Sequence, residues 1–142
     1  MFNFFKKKPK KEEEEEKNLK LISLCLVYEV AGADNNIDPR EKKLILEKIR
    51  DNIDTDILTE KEILNVIKEQ SEQRISFYDI IHDINMNLDK EEKVSILKMM
   101  WEVAYADQVL DIDEERLIRR SAEMLGINPS IVLKTKSDFK AQ

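Results

Sequence analysis

Two glycines, three prolines, one cysteine and one histidine among 142 residues exclude more than they include. With only Gly32 and Gly126, neither GxGxxG nor GxxxxGK[ST] can be written, so no glycine-rich loop is available to cradle a nucleotide phosphate. The same scarcity of turn formers speaks against a sandwich or barrel of many short strands. Cys25 alone supports neither a disulfide framework nor a cysteine-ligated zinc site, and it suits a reducing compartment. His82 alone leaves nucleophile–base pairs and histidine-metal sets short of members. No uncharged apolar run approaches about 18 residues, so no spanning helix is expected. Lys6–Lys11 is followed by five glutamates rather than by the apolar core of a signal peptide. These absences leave a helical, soluble domain with no evident catalytic apparatus, long enough for one hydrophobic core.

Charge is what the chain has in quantity. Charged residues make up 38% of it and the formal net charge is -6. Residues 1–17 hold six lysines and five glutamates, so the acidic excess falls on the remainder. The folded part shows no basic stripe of the kind nucleic-acid binding requires, and no nucleic-acid partner is expected. Residues 1–17 read as a charged, disordered tail and residues 18–142 as a single domain. In the tail, Phe2, Phe4 and Phe5 precede Lys6, Lys7 and Lys8, a pairing suited to weak, reversible contact with an anionic membrane surface. The alternative is a solvated tail whose lysines are offset by Glu12–Glu16. The expected location is the cytoplasm, with a peripheral position at the inner face of the membrane if the tail engages lipid.

Caps and periodicity divide the rest into helices. Leu19–Ala33 is apolar nearly all round, as a buried central helix would be. Asp38-Pro39-Arg40-Glu41 has an N-cap aspartate, proline at the first helical position and an acidic residue at the third. Thr59–Glu62 and Ser76–Asp79 open two further helices, the second with a stripe of Phe77, Ile80, Ile81 and Ile84. Asp89–Glu92 caps a helix expected over Lys90–Ala106. Asp111–Glu114 caps another that stops at Gly126, and Asn128-Pro129 starts a short last one. The expected fold is all-α, a compact bundle of about seven helices. Met99, Met100 and Trp101 read as core, and His82, off the apolar stripe, as a solvated residue.

A shift of 73 residues brings two segments into register. Tyr28-Glu-Val-Ala-Gly-Ala-Asp34-Asn-Asn-Ile-Asp38-Pro-Arg-Glu41 matches Trp101-Glu-Val-Ala-Tyr-Ala-Asp107-Gln-Val-Leu-Asp111-Ile-Asp-Glu114. We read this as a pseudo-twofold pair of helix–corner–helix units. Asp38 with Glu41, and Asp111 with Glu114, are accounted for as capping boxes, where the helix dipole welcomes negative charge. Asp34 and Asp107 stand near helix C-termini, where it does not. An Asx-type turn, a basic side chain or a bound cation would compensate, and carboxylates beside free helix-end carbonyls suit Ca²⁺, Mg²⁺ or Mn²⁺. The corners are not EF-hands: Pro39 and Ile112 stand at the glycine position, and Ile45 and Ile118 at the bidentate glutamate. Glu29 and Glu102 recur one turn before the corners. Each is expected to need an ion pair with a lysine or arginine, such as Arg116 or Arg119, direct ligation being the alternative.

The paired A-D-x-x-[IL]-D-x-x-E corners on an acidic helical chain resemble the TerB-like family of tellurite-resistance proteins, a domain also found in DjlA-type co-chaperones. The likeness runs from about Leu19 to Ile131. It implies a compact helical fold, a bacterial or phage-type stress setting, no enzyme activity, and divalent-cation binding by Asp34, Asp38, Glu41, Asp107, Asp111 and Glu114. One departure is that the usual Asp-Gly at the corner is Asp34-Asn35 and Asp107-Gln108 here. No organic cofactor is implied. The expected role is a binding module for a divalent cation, a protein partner, or both. The alternative is a helical adaptor whose corners are only caps and whose tail tethers it weakly to a membrane.

Overall fold

The structure is a computed structural model that describes residues 22–32, 38–52, 60–73, 77–106 and 110–140. Among these are seven helices and no strand. Helix α1 is described over residues 22–31, and is followed by α2 (Pro39–Asn52), α3 (Glu60–Gln73) and α4 (Phe77–Asn87). Then come α5 (Lys90–Ala104), α6 (Ile112–Met124) and α7 (Pro129–Lys140). Residues 1–17, Asp34, Asp107, Thr59 and Ser76 lie outside the described residues, so the tail, half of each corner and two of the expected caps do too.

Helix α1 is enclosed as its sequence requires. Ser23, Leu24, Cys25, Leu26 and Val27 are buried in succession, which a helix achieves only when it is surrounded. The Cys25 thiol points to the carbonyl of Ile67 on α3, 3.7 Å away. Helix α5 is the other central element and packs against α2, α6 and α7. Its inner face is Ile96, Leu97, Met100, Trp101, Val103 and Ala104. It ends at Ala104, two residues before the end expected from the sequence, because Tyr105 and Ala106 already form a turn. The amide of Ala106 donates to Val103, closing a tighter loop than a helical turn. The last helix is not a short appendage: α7 runs for 12 residues and packs on both α5 and α6.

Local chemistry sets the ends. Asp89 accepts from the Glu92 amide at 2.8 Å, and Glu92 Oε1 accepts from the Asp89 amide at 3.0 Å, a complete capping box. At the end of α6 the amide of Ile127 donates to Ala122 and that of Gly126 to Glu123, both at 3.0 Å. This is the Schellman arrangement, and it places Gly126 at φ 73°. A Cβ there would meet nothing within 4 Å, so only the left-handed backbone disfavours a side chain. Gly126→Ala is therefore expected to lose about 1–2 kcal/mol in urea unfolding. A loss of more than twice that would mean a steric conflict that the open surroundings do not contain.

Trp101 is fully buried, and its indole N–H donates to Thr135 Oγ1 at 3.1 Å. That hydroxyl lies 2.9 Å from the carbonyl of Ile131 and 3.0 Å from that of Val132, so it can donate into α7 while accepting from α5. The only tryptophan of the chain thus ties α7 to the centre of the bundle.

Candidate functional site: two acidic corners

The two corners are built by the same hydrogen bonds, 73 residues apart. In the first, the amide of Gly32 donates to Tyr28 at 3.0 Å and that of Lys42 to the Asp38 carbonyl at 2.9 Å. In the second, Tyr105 donates to Trp101 at 3.0 Å and Glu115 to the Asp111 carbonyl at 3.0 Å. The N-caps match as well. Asp38 Oδ1 accepts from the Arg40 amide and Asp111 Oδ1 from the Asp113 amide, each at 2.8 Å, and Asp111 also accepts from Glu114 at 3.2 Å. Both first helices end and both second helices begin at equivalent residues, Ala31 with Ala104 and Pro39 with Ile112. The likeness is local rather than complete: Cys25 is buried where Lys98, its counterpart, is exposed.

One feature of the corners departs from a surface cap. Glu41 and Glu114 are each only 3% exposed. The cap role does not require this, since Glu92 fulfils it while exposed. Glu114 Oε2 is shut off from solvent, and both glutamates make further contacts within the protein. N-cap hydrogen bonds therefore account for Asp38 and Asp111, while a reciprocal capping box is seen at Asp89–Glu92, and neither accounts for the burial of Glu41 and Glu114. Sequence reasoning missed this because a glutamate at the third helical position carries the same local signature whether it faces water or core.

Glu102 has the expected ion pair with a lysine or arginine, though with neither Arg116 nor Arg119; it pairs with Lys48, on α2. Arg119 instead bonds to Glu115 one turn away, at 2.9 Å, and Lys136 of α7 reaches the same carboxylate at 2.8 Å. Glu29 is half-buried. No signal in the sequence could have selected Lys48, because it comes from another helix, 54 positions before Glu102 in the chain.

The hydrogen bond from Lys136 holds the Glu115 carboxyl below its ordinary value, assisted by Arg119 and opposed by partial burial. A depressed carboxylate contributes stability above its unfolded value, about 4.3, and loses it as pH falls through the folded value. Glu115→Gln should therefore lower the melting temperature at pH 7, where the stabilisation is present in full, leave that at pH 3 nearly unchanged, and so narrow the difference between the two. Equal acid sensitivity of both proteins would show that the α6–α7 pair adds nothing.

Among the described residues no three histidine, cysteine, aspartate or glutamate side chains gather as a metal-holding group. Asp34 and Asp107 are not among those residues. What the described part supplies at each corner is an aspartate with one oxygen engaged by the helix start and a buried glutamate in the following turn. Elsewhere, a cavity of about 520 Å³ opens between the end of α6 and the start of α7. It is lined by Ile127, Pro129, Val132 and Leu133, with Arg119 and Glu123 beside them, and contains no corner residue.

The family profile described as tellurite resistance protein TerB matches residues 18–136. The chain belongs to the TerB family. The matched span takes in all of α1 to α6 and most of α7, and so both corners of this TerB-family chain. No curated protein matches its sequence. Among solved structures it is similar to a protein of unknown function from Porphyromonas gingivalis W83, with a TM-score of 0.59 and 17% identity. That alignment covers 87% of this chain and 95% of the other, and it shows a shared fold. The all-helical TerB fold is thus what the sequence led us to expect. No helix among the described residues is long and apolar enough to cross a membrane.

Proposed function

We propose that this TerB-family protein is a non-enzymatic binding module whose two acidic corners take up a divalent cation, Ca²⁺, Mg²⁺ or Mn²⁺, and present a surface to a protein partner. The observation that carries this is the equal burial of Glu41 and Glu114, each in the first turn of the helix that Asp38 or Asp111 caps. Taking a carboxylate out of water is costly unless positive charge or strong donors answer it, and a cation would add to the contacts that both glutamates already make within the protein. The donors on hand are all oxygen, which suits hard cations and excludes soft ones. In each corner Asp34 or Asp107, with the N-cap aspartate and the buried glutamate, would form the ligand set. Glu29 and Glu102 lie one turn back as a further source of charge.

Titrating Ca²⁺, Mg²⁺ and Mn²⁺ while recording amide NMR shifts and melting temperature tests this directly. We expect saturable shifts confined to residues 34–41 and 107–114. At a hundredfold excess over Kd the ion should add about 2.7 kcal/mol to stability. Absence of both effects at millimolar ion would remove the cation reading.

A second role is favoured by a separate observation. Asp38 and Asp111 each already spend an oxygen on the following helix, as plain caps do. A helical scaffold with structural corners would show those caps, no ion response, and a partner bound elsewhere on its surface.

A further inference from the structure

The cavity between the end of α6 and the start of α7 is lined by neither corner. At about 520 Å³ it falls within the roughly 300–1,000 Å³ of pockets that take a ligand. Ile127, Pro129 and Val132 make its lining apolar, and Leu133 stands beside them 58% exposed. The backbone around it is already engaged. The amides of Gly126 and Ile127 donate back to Glu123 and Ala122 of α6. At the start of α7, Asn128 accepts from the Ser130 amide on its side chain and from Ile131 and Val132 on its carbonyl, and Pro129 has no amide hydrogen. The first turn of α7 therefore holds no spare donor for a free anion. Apolar contact and side-chain charge are what the cavity offers.

That charge is opposite in sign to the charge of the whole chain. Residues 115–140 hold six lysines and arginines against three acidic residues, in a protein of net charge -6. Arg119 and Lys136 share one oxygen of Glu115, whose single negative charge answers only one of them. Arg119 lines the cavity, and Arg116 is its neighbour one turn earlier on the surface of α6. Arg116 and Lys134, the residue after Leu133, are exposed and have no ion pair among the described residues. Glu123 is the one acidic group in the lining. We propose that this cavity is a docking site for an acidic protein segment, which seats a large apolar side chain on Ile127, Val132 and Leu133 and sets its carboxylates against Arg119 and the cations beside it. The site goes beyond the cation reading and does not depend on it. A nucleic acid would use the charge but leave the apolar lining without a partner.

The test uses the full chain and short synthetic peptides in which one leucine, phenylalanine or tryptophan is flanked by glutamates. Binding is followed by amide NMR shifts and fluorescence anisotropy. Saturable shifts are expected at Arg119 and residues 126–133, with affinity falling as salt is raised. Replacing the apolar residue of the peptide by serine, or its glutamates by lysines, should weaken binding about tenfold or more. Leu133→Ser and Arg119→Gln should each weaken it about threefold to tenfold, and Glu123→Gln should tighten it by about threefold. Lys43→Gln, on α2, should change nothing. These side chains are exposed, so the variants should fold, which circular dichroism checks. Absence of shifts in the unaltered protein at millimolar peptide would overturn the proposal. So would equal binding of the serine peptide, or tighter binding of an oligothymidylate than of any peptide at these residues. Shifts there that grow with protein concentration alone would assign the cavity to a second copy of the chain and overturn it as well. None of these results bears on ion binding at residues 34–41 and 107–114, so the two readings fail separately.

Discussion

Trp101→Ala is expected to cost about 3–5 kcal/mol, the largest loss of any single substitution we foresee. Domains of this kind are stable by only about 5–15 kcal/mol, so the variant should sit close to unfolding at physiological temperature. Two effects combine. The indole is fully buried, and its removal leaves a void between α5 and α7. It also removes the hydrogen bond that ties α7 inward through Thr135. Thr135→Val separates them. Valine keeps the volume but leaves the indole N–H buried without an acceptor, at a cost of about 1–3 kcal/mol. Urea unfolding followed by far-UV circular dichroism measures both. Hydrogen exchange at residues 129–140 should rise in both variants before it rises in α1. If Trp101→Ala lost no more than Thr135→Val, the void would have closed by movement of α7, and packing would contribute little at this junction.

The second large effect is paired. Ile45→Ala and Ile118→Ala should each lose about 2–5 kcal/mol, because both side chains are fully buried and neither site lies at an edge where the core can collapse. Each isoleucine stands seven residues, two helical turns, after an N-cap aspartate. Each therefore holds the start of its helix down against the core and fixes the angle at which the corner approaches it. Beyond the loss of stability, we expect faster exchange at residues 39–42 in the first variant and 112–115 in the second. Similar losses at the two positions would show that the halves are equivalent in energy as well as in local hydrogen bonding. A gap of several-fold would show that one corner is anchored and the other is not.

What was legible in the sequence was whatever is settled within a few residues. Asp38, Asp89 and Asp111 announce helix starts because a cap needs only its own next turn, and Gly126 announces a helix end for the same reason. The 73-residue sequence repeat was legible because both copies lie in one chain, and in the structure two backbone bonds and one cap bond recur at each corner. The end of α5 was misplaced by two residues because apolar periodicity continues through Tyr105 and Ala106 after the backbone has already turned. That Glu102 would pair with a lysine or arginine was legible, but which one was not, for a different reason. Arg116 and Arg119 are near in sequence and of the right charge, but Arg119 faces Glu115, while Lys48 arrives from α2. The burial of Glu41 and Glu114 was invisible for a third, since it depends on which way the second helix of each unit leans. Of the six corner carboxylates, the structure describes four, and these fall into two kinds: aspartates fastened to a helix start, and glutamates withdrawn from water.

Cys25 gives the chain a built-in reporter. It is the only thiol, it is 0% exposed, and it sits in the most enclosed helix with its sulfur directed at α3. A thiol-specific reagent cannot reach it until α1 is uncovered, and uncovering α1 dismantles the core. The rate of labelling in native buffer therefore counts how often the whole bundle opens, with no other cysteine to confuse the signal. For a protein with one tryptophan and one thiol, both central, optical and chemical probes read the same cooperative event from two different helices.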